Sequence, residues 1–406
     1  MPTSQPETES LDVAVIGGGP AGLMAAETLS AAGRKVTVFD RMPSVGRKFL
    51  MAGRGGLNLT HSEDVEAFLR RYGEAAERLR PLVEAFSPAD LVAWAEGLGQ
   101  PTFIGTSGRV FPAALKASPL LRAWLARLQD RGVEFRLRSA WRGWEDGALV
   151  FDTPGGRVRV KSAATILALG GASWPRLGAD GDWADLLRER GVEVTPLRPA
   201  NVGFDIVWSD TFRDRFAGQP LKTAAFTVGG RTVRGEAMVS RYGIEGGAIY
   251  ALSADLRDEV EAGAQATLTV DLAPDLSAEA LAARLVKGRL GDATTNALRK
   301  AGLSPVAIGL MREARGVVLP TEPARLARVA KGARLKVIGV QGLERAISTA
   351  GGVALSQVGD DLQLKALPGV FVAGEMLDWE APTGGYLLQA CFATGVAAAK
   401  GVLAPS

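Results

Sequence analysis

Residues 12–40 read DVAVIGGGPAGLMAAETLSAAGRKVTVFD, and their order decides the fold. Val13 to Ile16 form an apolar run suited to a strand buried on both faces. Gly17, Gly19 and Gly22 then supply G-x-G-x-x-G. Gly17 permits the sharp turn, Gly19 lets a pyrophosphate approach the backbone, and Gly22 lets the helix pack close to the strand. Pro20 and Ala21 open that helix, whose N-terminus offers free N–H groups and a positive dipole end to phosphates. Val36 to Phe39 make a second strand. Asp40 sits at its tip, placed to bind ribose hydroxyls, with Arg41 beside it. Every element flanking the glycines is present, so the stretch reads as a Rossmann-type dinucleotide-binding unit.

Two later stretches repeat the arrangement of strand and glycine loop. KSAATILALGG (161–171) runs a buried strand into Gly170-Gly171, followed by Trp174, which is placed to stack on a cofactor or to fill the core. VFVAGE (370–375) delivers Gly374-Glu375 to a strand's carboxyl end, where ligands bind in open α/β sheets. Glu375 or Asp378 can accept hydrogen bonds from ribityl hydroxyls. Gly384, Gly385 and Tyr386, followed by Leu387, open a final helix whose dipole can stabilise negative charge on a reduced flavin ring. Loops so far apart on one nucleotide fold favour a large, permanently held dinucleotide, FAD. After residue 41 there is no second strand–GxGxxG–helix unit to hold a nicotinamide cofactor, so NAD(P)H enters only as a transient donor.

The chain has 406 residues, 47% of them hydrophobic and 22% charged, as in an ordinary globular protein of two or three domains. A net charge of +3 and the lack of any basic run argue against nucleic acid. One cysteine, Cys391, and one histidine, His61, rule out an internal disulfide, a CxxC pair and a multi-histidine metal centre. The first ten residues are polar and no apolar stretch reaches spanning length, so a cytoplasmic protein without a membrane partner is expected. Oligomeric state is not legible.

Helical periodicity runs from Val65 to Gly97 and through LKASPLLRAWLARLQDRG to Gly132, with SGRVFP (107–112) between them as a loop. Val133 to Val160 alternate like a small antiparallel meander. Thr195 to Leu272 read as short strands, and Ser277 to Arg328 as helix. The expected domains are a discontinuous nucleotide domain, 1–195 plus 345–406, a β-barrel-like insert, 196–275 plus 330–344, and a helical subdomain, 276–329.

The motifs GRKFLMAGRGGLNLT, SGRVFP, LGGASWPRLGADGD, TPLRPA, STAGGVALSQV and FVAGEMLDWEAPTGGYLLQACF occur in order across nearly the whole chain. With them the chain resembles bacterial flavoproteins of the aminoacetone-oxidase-like family, which includes bile-acid enone reductases. The resemblance implies an α/β fold with a glutathione-reductase-like, Rossmann-type FAD domain interrupted by a β-barrel and a helical subdomain. The chain departs from the family at Gly56-Leu57-Asn58, at Tyr386-Leu387-Leu388-Gln389-Ala390 and at residues 243–248, which marks it as a divergent member.

Other residues are candidates for chemistry. Arg47 and Lys48 can pair with the pyrophosphate, and Asn58 can hydrogen-bond the cofactor. His61, unique in the chain, is a candidate general base, and Arg54, Arg109 and Tyr386 are polar candidates near a substrate cavity. Neither His61 nor Cys391 stands in an attachment motif, so the FAD is expected to be non-covalent. The reading is an FAD-dependent oxidoreductase acting on a small organic substrate, passing electrons to O2 or taking them from NAD(P)H. The scattered arginines leave a second class open, an FAD-containing tRNA-modifying or RNA-binding protein.

Overall fold

The computed structural model describes residues 8–263, 266–286, 294–316 and 318–405. They form two compact units. One carries the chain to Arg198 and again from Ser348; the other is Pro199–Ile347.

The first unit is built on a mixed sheet. Strand Glu9–Ile16 pairs in parallel with Val36–Asp40 on one side and with Gly156–Leu167 on the other. Val13 to Ile16 are at most 1% exposed: helix Pro20–Ala31 packs on the sheet, and Ala148–Thr153 also packs over it, its Phe151 stacking on Phe39 at 4.1 Å. Gly156–Leu167 is shared along its other edge. Its first half pairs antiparallel with Ala148–Thr153, and its last three residues pair in parallel with Val370–Val372. The carboxyl ends of Glu9–Ile16, Gly156–Leu167 and Val370–Val372 therefore open on one side, and the glycine loops leave from there.

Helix Tyr386–Leu403 packs on helix Pro20–Ala31 through small residues. A Cβ on Gly395 would come 2.4 Å from the Ala21 carbonyl oxygen. The terminal helix is long and apolar enough to cross a membrane, yet 61% of it is buried, as a core helix must be.

Two local expectations give way here. SGRVFP is no loop: Arg109–Pro112 is the middle strand of a three-stranded sheet with Thr102–Ile104 and Thr60–His61. The meander also begins later than expected, since Glu134–Leu137 pairs in parallel with Val36–Asp40. Each strand has a partner distant in sequence, Thr60–His61 for the one and Val36–Asp40 for the other, which local alternation cannot report.

In the second unit, seven strands pair in the order Ala333–Val337, Ala266–Asp271, Pro220–Val228, Arg231–Val239, Gly243–Glu245, Phe204–Asp205, Gly339–Val340. The first and last of these are consecutive in the chain, separated by Ile338 alone. The path of pairing thus returns to its start. Helices Asp210–Phe216 and Ser253–Glu261 interrupt a stretch whose texture suggested strands only. Nor do the helices of 276–329 stand apart as a subdomain. Leu281, Leu310, Met311 and Leu326 lie in one core with Phe226, Leu268 and Leu335, because each helix has an apolar stripe that only the sheet can cover. Residues 287–293 and 317 of that expected helical stretch lie outside the described residues.

Candidate functional site

The first unit gathers the candidate residues at the carboxyl ends of its strands. Gly17 has φ +109°, and a Cβ there would meet the Ala168 carbonyl oxygen at 2.2 Å. Gly22 is equally constrained: its Cβ would lie 2.0 Å from the Gly17 carbonyl oxygen. Gly19 differs from both. A Cβ on it meets nothing within 4 Å, and it caps helix Pro20–Ala31 with no side-chain hydrogen bond. Open space thus fronts an uncapped helix N-terminus whose N–H groups, those of Ala21 and Gly22 among them, can face an anion.

Asp40 closes this turn. Its Oδ2 accepts from Gly18 N and its Oδ1 from Met42 N, each at 2.8 Å. Burial pushes its carboxyl above the ordinary range, against the pull of those two N–H donors. Each oxygen keeps a second lone pair for a hydroxyl. Arg41 is held by an ion pair with Asp180.

Lys48 and Glu375 bind each other. Lys48 Nζ donates to Glu375 Oε2 at 2.8 Å and to Ser173 Oγ at 2.9 Å. Glu375 also accepts from Thr349 N at 2.9 Å and, more weakly, from Gly171 N at 3.3 Å. Thr349 Oγ1 in turn accepts from Ala172 N and Ser173 N. Asp378 Oδ2 accepts from Thr195 Oγ1 at 2.6 Å. Lys48, Glu375 and Asp378, the candidates for the pyrophosphate and the ribityl hydroxyls, thus each have a partner within the protein, and lone pairs on both carboxylates stay available to hydroxyls. The physical reason for the ion pair is burial: a carboxylate only 9% exposed needs its counter-charge beside it. Gly170 has φ +75°, and its carbonyl accepts from Trp183 Nε1 at 2.9 Å. Trp174 is half-buried rather than part of the core, with the Arg176 guanidinium 5.0 Å from its ring. Gly374 N donates to Thr394 Oγ1 at 2.9 Å.

Two buried polar atoms here have no partner: Arg47 Nε and Asn58 Oδ1. Buried polar groups are nearly always satisfied, so both are marked for a ligand. The side chain of Arg54 lies outside the described residues.

The last helix begins against the small three-stranded sheet. Gly385 has φ +98°, and a Cβ there would stand 2.5 Å from Thr60 Cα. The helix that follows has no side-chain cap, and Leu387 in its first turn is half-buried. Gln389 Oε1 accepts from Thr60 Oγ1 at 2.8 Å. The Tyr386 hydroxyl donates to Glu63 Oε1 at 2.5 Å, and Arg71 clasps the same carboxylate through Nε and Nη2. Burial alone would raise Glu63; the bonds from Arg71 and Tyr386 outweigh it and hold the carboxyl below its ordinary range. Tyr386 moves the other way, raised by burial and by its bond to Glu63.

His61 stacks on Tyr386 with ring centroids 5.5 Å apart. Its Nδ1 accepts from Glu63 N at 3.1 Å, and its Nε2 lies 2.9 Å from the Ser107 carbonyl. A carbonyl can only accept, so Nε2 carries the proton. Both ring nitrogens are thus engaged, and His61 has no lone pair free to act as a base. Arg109 lies opposite His61 in register. Cys391 Sγ faces Gly374, and burial pushes its thiol up to about 12. Glu63, Arg71 and Thr349 were not singled out in the sequence. Thr349 sits in the STAGGV motif, whereas nothing local marks Glu63 or Arg71.

The model of the HI0933-like protein Rossmann domain matches residues 11–401. The chain belongs to this family. It is 26% identical over 407 residues to a 3-dehydro-bile acid delta(4,6)-reductase of Clostridium scindens, covering 96% of this chain and 98% of that one. It is 23% identical over 415 residues to a ribosomal RNA dihydrouridine synthase of Escherichia coli, covering 98% and 99%. Among solved structures, a 3-ketosteroid-delta4-(5alpha)-dehydrogenase of Rhodococcus jostii RHA1 aligns over 100% of this chain and 99% of the other, with a TM-score of 0.55 and 15% identity, a likeness of fold. The family is one of FAD-binding flavoproteins, and the residues present fit that group. They supply an uncapped helix end behind open space at Gly19, an acid at the second strand tip, and two orphaned polar atoms on the loop after it.

Proposed function

We propose that this flavoprotein is a reductase that saturates a carbon–carbon double bond conjugated to a carbonyl in a small organic molecule, drawing electrons from NAD(P)H bound transiently. The observation that carries this is the relationship, across 96% of the chain, to a protein named for reducing such bonds. It outweighs the lean towards an oxidase that the missing nicotinamide unit suggests. The first unit is then the flavin domain of a glutathione-reductase-like plan, with 199–347 inserted between its two chain segments.

When bound, FAD supplies the ring that accepts and donates hydride. The chain's own residues hold it. The N–H groups at the start of helix Pro20–Ala31 take the pyrophosphate, and the second lone pairs of Asp40 take ribose hydroxyls. Asn58 Oδ1 accepts from an N–H or O–H of the cofactor. The uncapped start of helix Tyr386–Leu403 offers its dipole to negative charge. His61 is fixed by two hydrogen bonds and moves no proton. The Tyr386 hydroxyl is spent on Glu63, so its work is to hold that helix end against the sheet.

The test is the visible spectrum of the purified protein under anaerobic conditions. Addition of NADPH or NADH should bleach the flavin band, and a 3-oxo-4-ene steroid should restore it. Bleaching by an amine donor, with no response to either nicotinamide, would sink the reductase reading.

A second reading rests on the dihydrouridine synthase relative, which covers 98% of the chain. There the conjugated double bond is that of uracil in ribosomal RNA. Salt-dependent binding of a ribosomal RNA fragment would favour it.

A further inference from the structure

The three-stranded sheet beside the flavin site has one face that the cofactor contacts above do not use. Side chains alternate along a strand, and residues directly opposite share a face. Register places Phe103 opposite Phe111 and Arg109 opposite His61, and Phe111 follows Arg109 by two. These four side chains therefore form one row, beginning at the His61–Tyr386 stack and ending at Phe103. The aromatic end is a shelf: the Phe103 and Phe111 rings are stacked at 5.7 Å, and Phe103 is 43% exposed. Leu115, 46% exposed, borders it across Gly56.

Arg109 lies in the middle of this row. Most arginines in the first unit are paired: Arg34 with Asp12, Arg71 with Glu63, Arg78 with Asp360, Arg127 with Glu27 and Arg136 with Glu9. The Arg109 side chain is half-buried and has neither a hydrogen-bond nor an ion-pair partner among the described residues. A partly desolvated guanidinium without an acceptor is a site for one. Its planar fork suits two oxygens of a carboxylate.

We propose that this face is the substrate-recognition subsite and that it takes an acid with an apolar ring body, the body lying on Phe103 and Phe111 and the carboxylate on Arg109. The inference deepens the reductase reading and rests on it. A single cation beside an aromatic shelf matches one charged end on an apolar body. RNA carries a charge on every nucleotide and calls for a series of cations.

The experiment titrates the FAD-loaded protein with 3-oxo-4-cholenoic acid and with its methyl ester, read by perturbation of the flavin absorbance. The acid should bind about ten- to a hundredfold tighter than the ester. Arg109→Gln should erase that preference, and Arg109→Lys should restore part of it. Phe103→Ser should weaken acid and ester alike. Thermal melts of each variant separate lost binding from lost fold, and equilibrium dialysis replaces the spectrum for any variant that sheds flavin. An acid preference unchanged in Arg109→Gln overturns the proposal, as does failure of the wild type to bind either compound. So does Arg109-dependent binding of a ribosomal RNA fragment with no response to the acid. Enone turnover without an Arg109-dependent preference defeats this subsite and leaves the reductase reading standing. The reverse result defeats only the reaction.

Discussion

Lys48 Nζ and Glu375 Oε2 meet at 2.8 Å across 327 residues of chain, tying the loop after the second strand to the loop after the last one. Removing one partner strands the other in a nearly buried place. Lys48→Met should therefore cost about 2–4 kcal/mol, somewhat below a fully buried pair because Lys48 is partly exposed. The double variant Lys48→Met/Glu375→Gln should recover part of that loss. Urea unfolding curves check both. Equal stability of wild type and Lys48→Met would show the pair to be incidental.

The glycines of the first turn should separate by function. Gly19 has φ −86° and free space in front, so Gly19→Ala should leave the unloaded protein's melting temperature nearly unchanged and sharply weaken FAD binding. Gly22→Ala should damage the fold itself, since its methyl would fall on the Gly17 carbonyl oxygen. Melting curves with and without added FAD distinguish the two. A Gly19→Ala protein that retains full flavin occupancy would show that the pyrophosphate does not pass there.

Alkaline pH should erode stability through protons that the native state holds more tightly than the unfolded chain. Cys391 is raised from 9.0 to about 12 by burial, and Tyr386 is raised above 10.0. An acid group whose folded value is raised stabilises the native state below its unfolded value and loses that contribution as pH climbs towards the folded one. The midpoint of unfolding should fall from about pH 9 upward, and Cys391→Ala should flatten the first part of the decline. At pH 8 the half-buried thiol, held protonated, should react with thiol reagents more slowly than in the denatured protein.

The acid side carries the opposite sign. Glu63 is held below its ordinary value of 4.5 by Arg71 and Tyr386 despite burial. Its contribution is present above that value and is lost as pH falls through the lower folded one. Glu63→Gln should shallow the acid limb of the stability profile and detach Tyr386, which intrinsic tyrosine fluorescence can follow in a tryptophan-corrected difference. An unchanged acid limb would mean that the clasp contributes nothing measurable.

How much of this was legible follows from the range of each interaction. The glycine turn, Asp40, the strand at 370–372 and the terminal helix are local patterns, and periodicity with turn chemistry exposes them. The partnership of Lys48 with Glu375 is not local. Nothing near either residue tells a reader that the two will meet. Arg109–Pro112 looked like a loop because SGRVFP opens with turn residues, and its strand character comes from two partners, one of them about fifty residues upstream. Glu63 was passed over beside the more conspicuous His61, yet the carboxylate is the group that collects Arg71 and Tyr386. His61 was conspicuous only for being unique.

The strand Val370–Val372 completes the sheet on the far side of Gly156–Leu167, some two hundred residues after that strand is made. During synthesis, the nucleotide half must therefore wait with an open edge while 199–347, a contiguous segment, has everything it needs to fold. The half that binds the cofactor is begun first and finished last. Until residues 348–405 emerge, an unpaired parallel edge and the apolar face awaiting the terminal helix are exposed to other chains. Yield of this protein in a cell should thus be governed by how quickly that closing segment arrives, more than by the strength of any single contact within it.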